Sequence, residues 1–192
     1  MSYNNLSSAS KTIANVIWNA IKDDKALKQI IKNPEQISYA PPSEADKNIQ
    51  LSVFLYDTIQ LPAMRNQPPT SSQPQTLLYL KLHYLITPLT RNPLTDQALL
   101  GRIIRLFAEK PVIRGSDLKE SLADSQSELR VILDTLTVED QSRIWSMLQT
   151  PYRLSVSYSV YPVEIEADTA KVVVSSRDTA LAAGLAKKGK SA

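Results

Sequence analysis

The chain has 192 residues, of which 43% are hydrophobic and 21% charged, and these proportions exclude a wholly disordered protein and fit one globular domain with a tail. It contains no cysteine, which excludes disulfides, thiolate zinc sites and a cysteine nucleophile. The net charge is +3, but five basic residues and one acid follow Thr169, so this end carries +4 and the preceding body −1. The composition of the body therefore gives no argument for a nucleic-acid-binding surface, and we expect no nucleic-acid partner.

The first predicted element is an amphipathic helix, with Ser10 placed as a candidate N-cap. Its apolar residues recur at helical spacing: Ile13, Val16, Ile17, Ala20 and Ile21. Asp23 and Asp24 are expected to interrupt this helix. A second short turn or helix is expected to end at Asn33, because Pro34 biases the residue before it away from helix.

Alternating hydrophobic residues then predict strands. A short strand is expected at 37–39, and clear strands run from Ile49 to Leu55 and from Leu78 to Ile86. The two clear strands are predicted to form a hairpin with an unusually long polar connection, residues 66–75. Connections of this length are commonly functional or mobile.

The second half of the chain predicts two further helices and two further strands. One helix carries apolar residues up to Phe107, with Thr95 or Asp96 as its cap, and ends before Pro111. A strand is expected at 129–133. Thr137 and Asp140 resemble a capping box for a helix that carries Ile144, Trp145 and Leu148.

The last predicted strand, 154–160, alternates apolar residues with Arg153, Ser155, Ser157 and Ser159. We expect its polar side to face water. Without a regular βαβ rhythm, the elements predict an α+β fold with a mostly antiparallel sheet and helices packed on one face. The domain is expected to span 1–167.

Residues 168–192 form a basic arm that is expected to be flexible in the free subunit and to dock on partners. Its Val-rich stretch has the propensity to add a strand to a neighbour's sheet. Its lysines suit an acidic surface or a phosphate, although a solvated terminus is the simpler alternative. The candidate binding residues of the arm are Lys171, Val172, Val173, Val174, Arg177, Lys187, Lys188 and Lys190.

The sequence carries no motif of a catalytic or cofactor site. Only four glycines occur, and the glycine-rich phosphate loops are absent, so no nucleotide cofactor or metal is expected. His83 is interpreted as a hydrogen-bonded structural residue, because the sequence places no nucleophile or carboxylate beside it. The acid pairs at 23–24 and 139–140 are assigned to helix starts. Trp145 is interpreted as a core anchor, with an interface role as the alternative.

The run from Leu148 to Val156, preceded by Trp145 on its helix, resembles the cap-protein family of extracellular, phage-tail-like contractile injection systems. The resemblance extends from about Ser8 to Ile165 and includes the segments Leu82–Leu85 and Pro93–Arg102. The residues that carry it are Arg65, Asn66, His83, Tyr84, Gly101, Arg102, Trp145, Thr150, Pro151, Tyr152 and Arg153.

The resemblance implies a tail-terminator-like, non-enzymatic subunit that forms a ring, expected to be a homohexamer. Such a ring would bind the terminal sheath and inner-tube subunits and couple them. The N-terminus lacks a secretory signal and no apolar run approaches the ~20 residues of a membrane span, so we expect no direct membrane insertion and assembly in the cytoplasm. The particle itself is then released or anchored to a membrane. A neck or tail-completion protein of a contractile phage or type VI-like tail is the alternative.

Overall fold

The protein is described by a computed structural model, which describes residues 2–62, 76–123 and 127–167. Within these residues the chain forms three α-helices and one six-stranded sheet. The helices are α1 (Asn5–Lys22), α2 (Pro93–Glu109) and α3 (Val138–Met147). The strands are β1 (Ile37–Ser38), β2 (Leu51–Gln60), β3 (Thr76–Pro88), β4 (Val112–Arg114), β5 (Glu128–Asp134) and β6 (Val156–Ala167).

The sheet has the order β1-β2-β3-β6-β5-β4, and every pair is antiparallel except β1 with β2. At one end of the sheet Thr76 pairs with Ala167, and the β2–β3 connection leaves from this loop end. At the other end Ile86 pairs with Val156 and Asp134 with Ser157. The connection that contains α3 leaves from this second end, which we call the α3 end.

The main core lies between one face of the sheet and the helices α1 and α2. Ile13, Ile17 and Ile21 of α1 are buried against it, as the helical spacing predicts. Phe107 of α2 packs on Tyr158 of β6, with ring centroids 5.0 Å apart. Each such side chain contributes ~1.5–3 kcal/mol by its burial. The predicted α+β fold with a mostly antiparallel sheet is confirmed, and α1 and α2 pack on one face of that sheet.

Two of the predicted helix starts are wrong. Helix α1 begins at Asn5, so Ser10 lies inside it, where its hydroxyl donates to the Leu6 carbonyl at 3.2 Å. Helix α2 begins at Pro93, a residue that suits the first helical position because the N–H it lacks has no helical partner there. Its cap is therefore Asn92, whose side chain accepts from the backbone N–H groups of Leu94 and Thr95.

The predicted capping box of α3 is confirmed. The Thr137 hydroxyl accepts from the Asp140 N–H at 3.1 Å, and the Asp140 carboxylate accepts from the Thr137 N–H at 3.2 Å. Hydrogen bonds from the Thr137 hydroxyl and backbone lower the pKa of Asp140. Asp24 is held in a similar way after α1, because the N–H groups of Leu27 and Ala26 lower its pKa.

The prediction that the polar side of the last strand faces water is wrong at its centre. Ser157 and Ser159 are buried, with 2% and 1% of their surface exposed. Leu85, the register partner of Ser157 on the same face, is also buried. The α3 end of this second face is therefore covered as well. Leu154, predicted in the strand, precedes it and is exposed.

Candidate interaction site

A groove with a defined lining lies beside α3. It has a volume of about 740 Å³ and is formed by the helix and by the loop that follows it. None of its lining residues is charged, and the lining combines amide and hydroxyl groups with apolar side chains. They are Val138, Gln141, Ser142, Trp145, Ser146, Gln149, Thr150, Pro151 and Tyr152.

Trp145 forms the inner wall of this groove. It is 4% exposed, yet it lies outside the core that packs against α1 and α2. Its indole Nε1 is buried and finds no hydrogen-bond acceptor among the described residues. Buried donors without an acceptor are uncommon and destabilising.

Tyr152 and Val138 present apolar surface at the mouth of the groove. The Tyr152 ring meets Trp145 edge-on, with centroids 5.7 Å apart and an interplanar angle of 67°. Tyr152 is 56% exposed and Val138 83%. An aromatic pair of this kind offers both a flat apolar surface and polar edges, a combination that is enriched at protein interfaces.

The turn that closes the groove depends on a strained residue. Gln149 has φ 51°, a left-handed conformation that costs ~1–2 kcal/mol for a residue other than glycine. Its N–H bonds to the Ser146 carbonyl at 3.1 Å and ends the helix. The reversal brings Pro151 and Tyr152 back beside Trp145. Four of the residues that carry the family resemblance, Trp145, Thr150, Pro151 and Tyr152, are thus brought together.

His83 belongs to a separate polar cluster at the α3 end of the second face. Its Nδ1 lies 3.0 Å from Oδ2 of Asp134, a carboxylate that the sequence reasoning missed. The Ser157 hydroxyl donates to the same oxygen at 3.0 Å and lies 3.0 Å from the Tyr56 hydroxyl. Burial raises the pKa of Tyr56. These partners come from three other strands, so only the strand order, which the sequence does not reveal, could have indicated them.

The cluster contains a serine, a histidine and an aspartate, but not in the arrangement of a catalytic triad. In a triad the serine and the carboxylate bind opposite nitrogens of the imidazole. Here Ser157 and His83 share one carboxylate oxygen, and His83 Nε2 is buried without a partner among the described residues. The geometry favours the structural interpretation of His83.

The remaining residues of the resemblance lie apart from the groove. Tyr84 is fully buried in the main core, where burial raises its pKa and its hydroxyl lies 2.9 Å from that of Ser10. Gly101 is exposed on α2, and Arg102 Nη2 donates to the Ala20 carbonyl at 3.3 Å. Arg153 is exposed beside the groove without lining it.

Several predicted site residues lie outside the described residues. They are Arg65 and Asn66 of the β2–β3 connection, and Lys171, Val172, Val173, Val174, Arg177, Lys187, Lys188 and Lys190 of the arm.

The described residues contain neither a candidate metal site nor a helix suited to span a membrane. No grouping of three or more histidine, aspartate or glutamate residues there is suited to hold a metal ion. No helix in the same ranges has the length and hydropathy needed to cross a bilayer.

Comparison with known proteins gave two positive findings. The family model described as the Pvc16 N-terminal domain matches residues 8–176. Among solved structures, the chain is similar to the PVC sheath/tube terminator in the extended state, from a cryo-EM structure of an extracellular contractile injection system. That likeness has a TM-score of 0.56 at 16% identity, and it covers 84% of this chain and 56% of the other, so it is a likeness of fold. No curated protein matches the sequence.

Proposed function

Since the chain belongs to the family of the Pvc16 N-terminal domain, we propose that it acts as the structural cap, or tail terminator, of a contractile injection system. This membership confirms the resemblance seen in the sequence and is the observation that carries the proposal. The fold agrees with it, because the terminator to which the chain is similar shares the α+β architecture. The chain matches little more than half of that terminator's length, so the cap function is assigned here to the shared domain.

In this proposal the protein is a docking subunit without a catalytic step. It forms a ring, a homohexamer, that binds the terminal sheath and inner-tube subunits and couples them. A closed ring ends a polymer because it offers one matching face and no second copy of it. The uncharged groove beside α3 and the basic arm at 168–192 supply two chemically different contact surfaces for such an assembly.

The ring is proposed to assemble in the cytoplasm and to travel with the particle, which is released or anchored to a membrane. No cofactor and no nucleic acid takes part. The residues before Thr169 carry a net charge of −1, so no large charge opposes self-association.

Deletion of the gene, followed by electron microscopy of particles, tests the function. Loss of particles, or sheaths and tubes of irregular length, is expected, and re-expression of the intact chain should restore uniform ones. Mass measurement on restored particles should find six copies at one end. Normal, contractile particles of uniform length in the deletion strain would refute the cap, and many copies along each particle would assign the protein to the shaft instead. Six copies at a phage-type neck would favour the tail-completion alternative.

A further inference from the structure

We propose that the groove beside α3 of one copy binds residues 66–75 of the next copy, and that this contact closes the ring. The inference rests on the proposed ring and names the surfaces that join its subunits. Three observations carry it: the chemistry of the groove, the composition of the segment, and the positions of the two on the sheet.

The groove is suited to an uncharged, proline-containing peptide. Its wall combines the Trp145 and Tyr152 rings with the amide side chains of Gln141 and Gln149. Aromatic-lined grooves bind proline-rich segments because the rings pack on the pyrrolidine and the polyproline conformation is already extended.

Residues 66–75 have the matching composition. They contain three prolines, including the adjacent pair Pro68 and Pro69, and no charged residue. The basic arm at 168–192 is a poorer match, because a groove without carboxylates gives its lysines no partner. A segment without charged residues avoids the large desolvation cost of burying an ion in the groove.

The geometry of the sheet favours a contact between different copies. The segment leaves from the loop end, whereas α3 leaves from the α3 end. From Thr76 to Ile86 along β3 is about 34 Å at ~3.4 Å per residue. The connection 61–75 is anchored at Gln60 and Thr76, so at ~3.5 Å per residue it extends at most about 26 Å from the loop end. It therefore falls short of the α3 end of its own sheet.

A contact between opposite ends of neighbouring molecules is heterologous. Such contacts leave one unused surface at each end of a row of subunits until the row closes on itself. The proposed contact therefore predicts a ring or an open chain rather than a twofold dimer, which agrees with the proposed cap.

Disulfide trapping tests the contact. Because the chain contains no native cysteine, only the introduced thiols can form a disulfide within or between copies. Ser142→Cys places a thiol in the groove and Thr70→Cys places one in the segment. Both variants are made in the full chain and mixed under mild oxidation, alone and in assembled particles. Ser116→Cys, an exposed residue near β4, replaces Ser142→Cys in the matched control. Melting temperatures confirm that all variants fold.

The mixed variants are expected to give a covalent dimer in much higher yield than either alone, and the double variant a ladder that ends at the ring. Replacing Pro68 and Pro69 by alanine, or Tyr152 by alanine, should reduce the yield at least several-fold. Equal yields with Ser116→Cys would overturn the contact. Capture of a sheath or tube subunit by Ser142→Cys would also overturn it and assign the groove to that partner. A ring of six copies without the cross-link would overturn this contact while leaving the cap intact.

Discussion

Asp134 binds His83 across an intervening strand. The carboxylate and the imidazole Nδ1 are 3.0 Å apart, although β6 separates their strands, and Ser157 of β6 donates to the same oxygen. One carboxylate thus connects three strands at the α3 end of the sheet. Both side chains are about 15% exposed, so the contact is poorly solvated.

We predict that Asp134→Ala lowers the free energy of unfolding by ~1–3 kcal/mol, because it leaves the buried His83 and Ser157 groups without their acceptor. Urea denaturation measures the change. Glu128→Ala on the same strand removes an exposed ion pair with Arg114 and should change stability by less than ~1 kcal/mol. Equal effects of the two substitutions would contradict the connecting role of Asp134.

Substitutions of Trp145 and Tyr152 should distinguish an effect on folding from an effect on binding. Trp145→Ala removes a buried ring and is expected to cost ~3–5 kcal/mol of stability. Tyr152→Ala removes a side chain that is 56% exposed, and its melting temperature should stay close to that of the parent. Thermal unfolding of both variants gives the comparison. A stable Trp145→Ala protein would assign this residue to an interface alone.

Asn92 provides a test of the corrected start of α2. Asn92→Ala removes the acceptor for two backbone N–H groups and should cost ~0.5–2 kcal/mol. Thr95→Ala should cost much less, because the Thr95 N–H rather than its side chain takes part in the cap. The denaturation midpoints of the two variants test this. A larger loss of stability in Thr95→Ala than in Asn92→Ala would support the cap predicted from the sequence.

Stability should fall at high pH through Tyr158. Burial raises the pKa of Tyr158 to about 12, above its unfolded value of ~10. The stabilisation is therefore complete below pH ~10 and is lost as pH rises from there towards 12. Tyr158→Phe should flatten the dependence of the free energy of unfolding on pH in this window. Tyr84, also buried with a raised pKa, should leave part of the slope in place. An unchanged slope in the variant would show that the Tyr158 hydroxyl is accessible to water.

The arm is predicted to act outside the domain. A chain truncated after Ala167 should keep its melting temperature and enter particles less efficiently. Substitution of Lys187, Lys188 and Lys190 by glutamine should reproduce part of that defect at low salt, and the difference from the parent should shrink as ionic strength rises. A large loss of domain stability on truncation, or full capping by the truncated chain, would contradict an arm that works on partners.

The fold was largely predictable because its elements are amphipathic. The alternating hydrophobic residues of β2 and β3 and the apolar stripe of α1 each line one buried face. The spacing of hydrophobic residues along the sequence is enough to predict such a face. The Thr137 capping box is equally local. The cap of α2 was not predicted, since Asn92 and Thr95 are both suitable cap residues and only the position of Pro93 in the helix decides between them.

The site was less predictable, since its contacts join residues on strands that are distant in sequence. No pattern in a single sequence states that β6 lies between β3 and β5, so the pairing of His83 with Asp134 and the burial of Ser157 could not be derived. The groove was found in part, because the residues from Trp145 to Tyr152 carried the family resemblance. Its second wall, with Val138 and Gln141, lies one or two helical turns earlier and gave no separate signal.

The groove is continuous in sequence, since all of its lining residues fall between 138 and 152. The segment that carries them starts after Asp134 and ends before Val156, and the pairing of Asp134 with Ser157 holds its two ends on adjacent strands. A segment with neighbouring ends can be exchanged between related chains without altering strand order or register. Changes within this one segment can therefore alter what the groove binds while the sheet and the α1–α2 core stay the same.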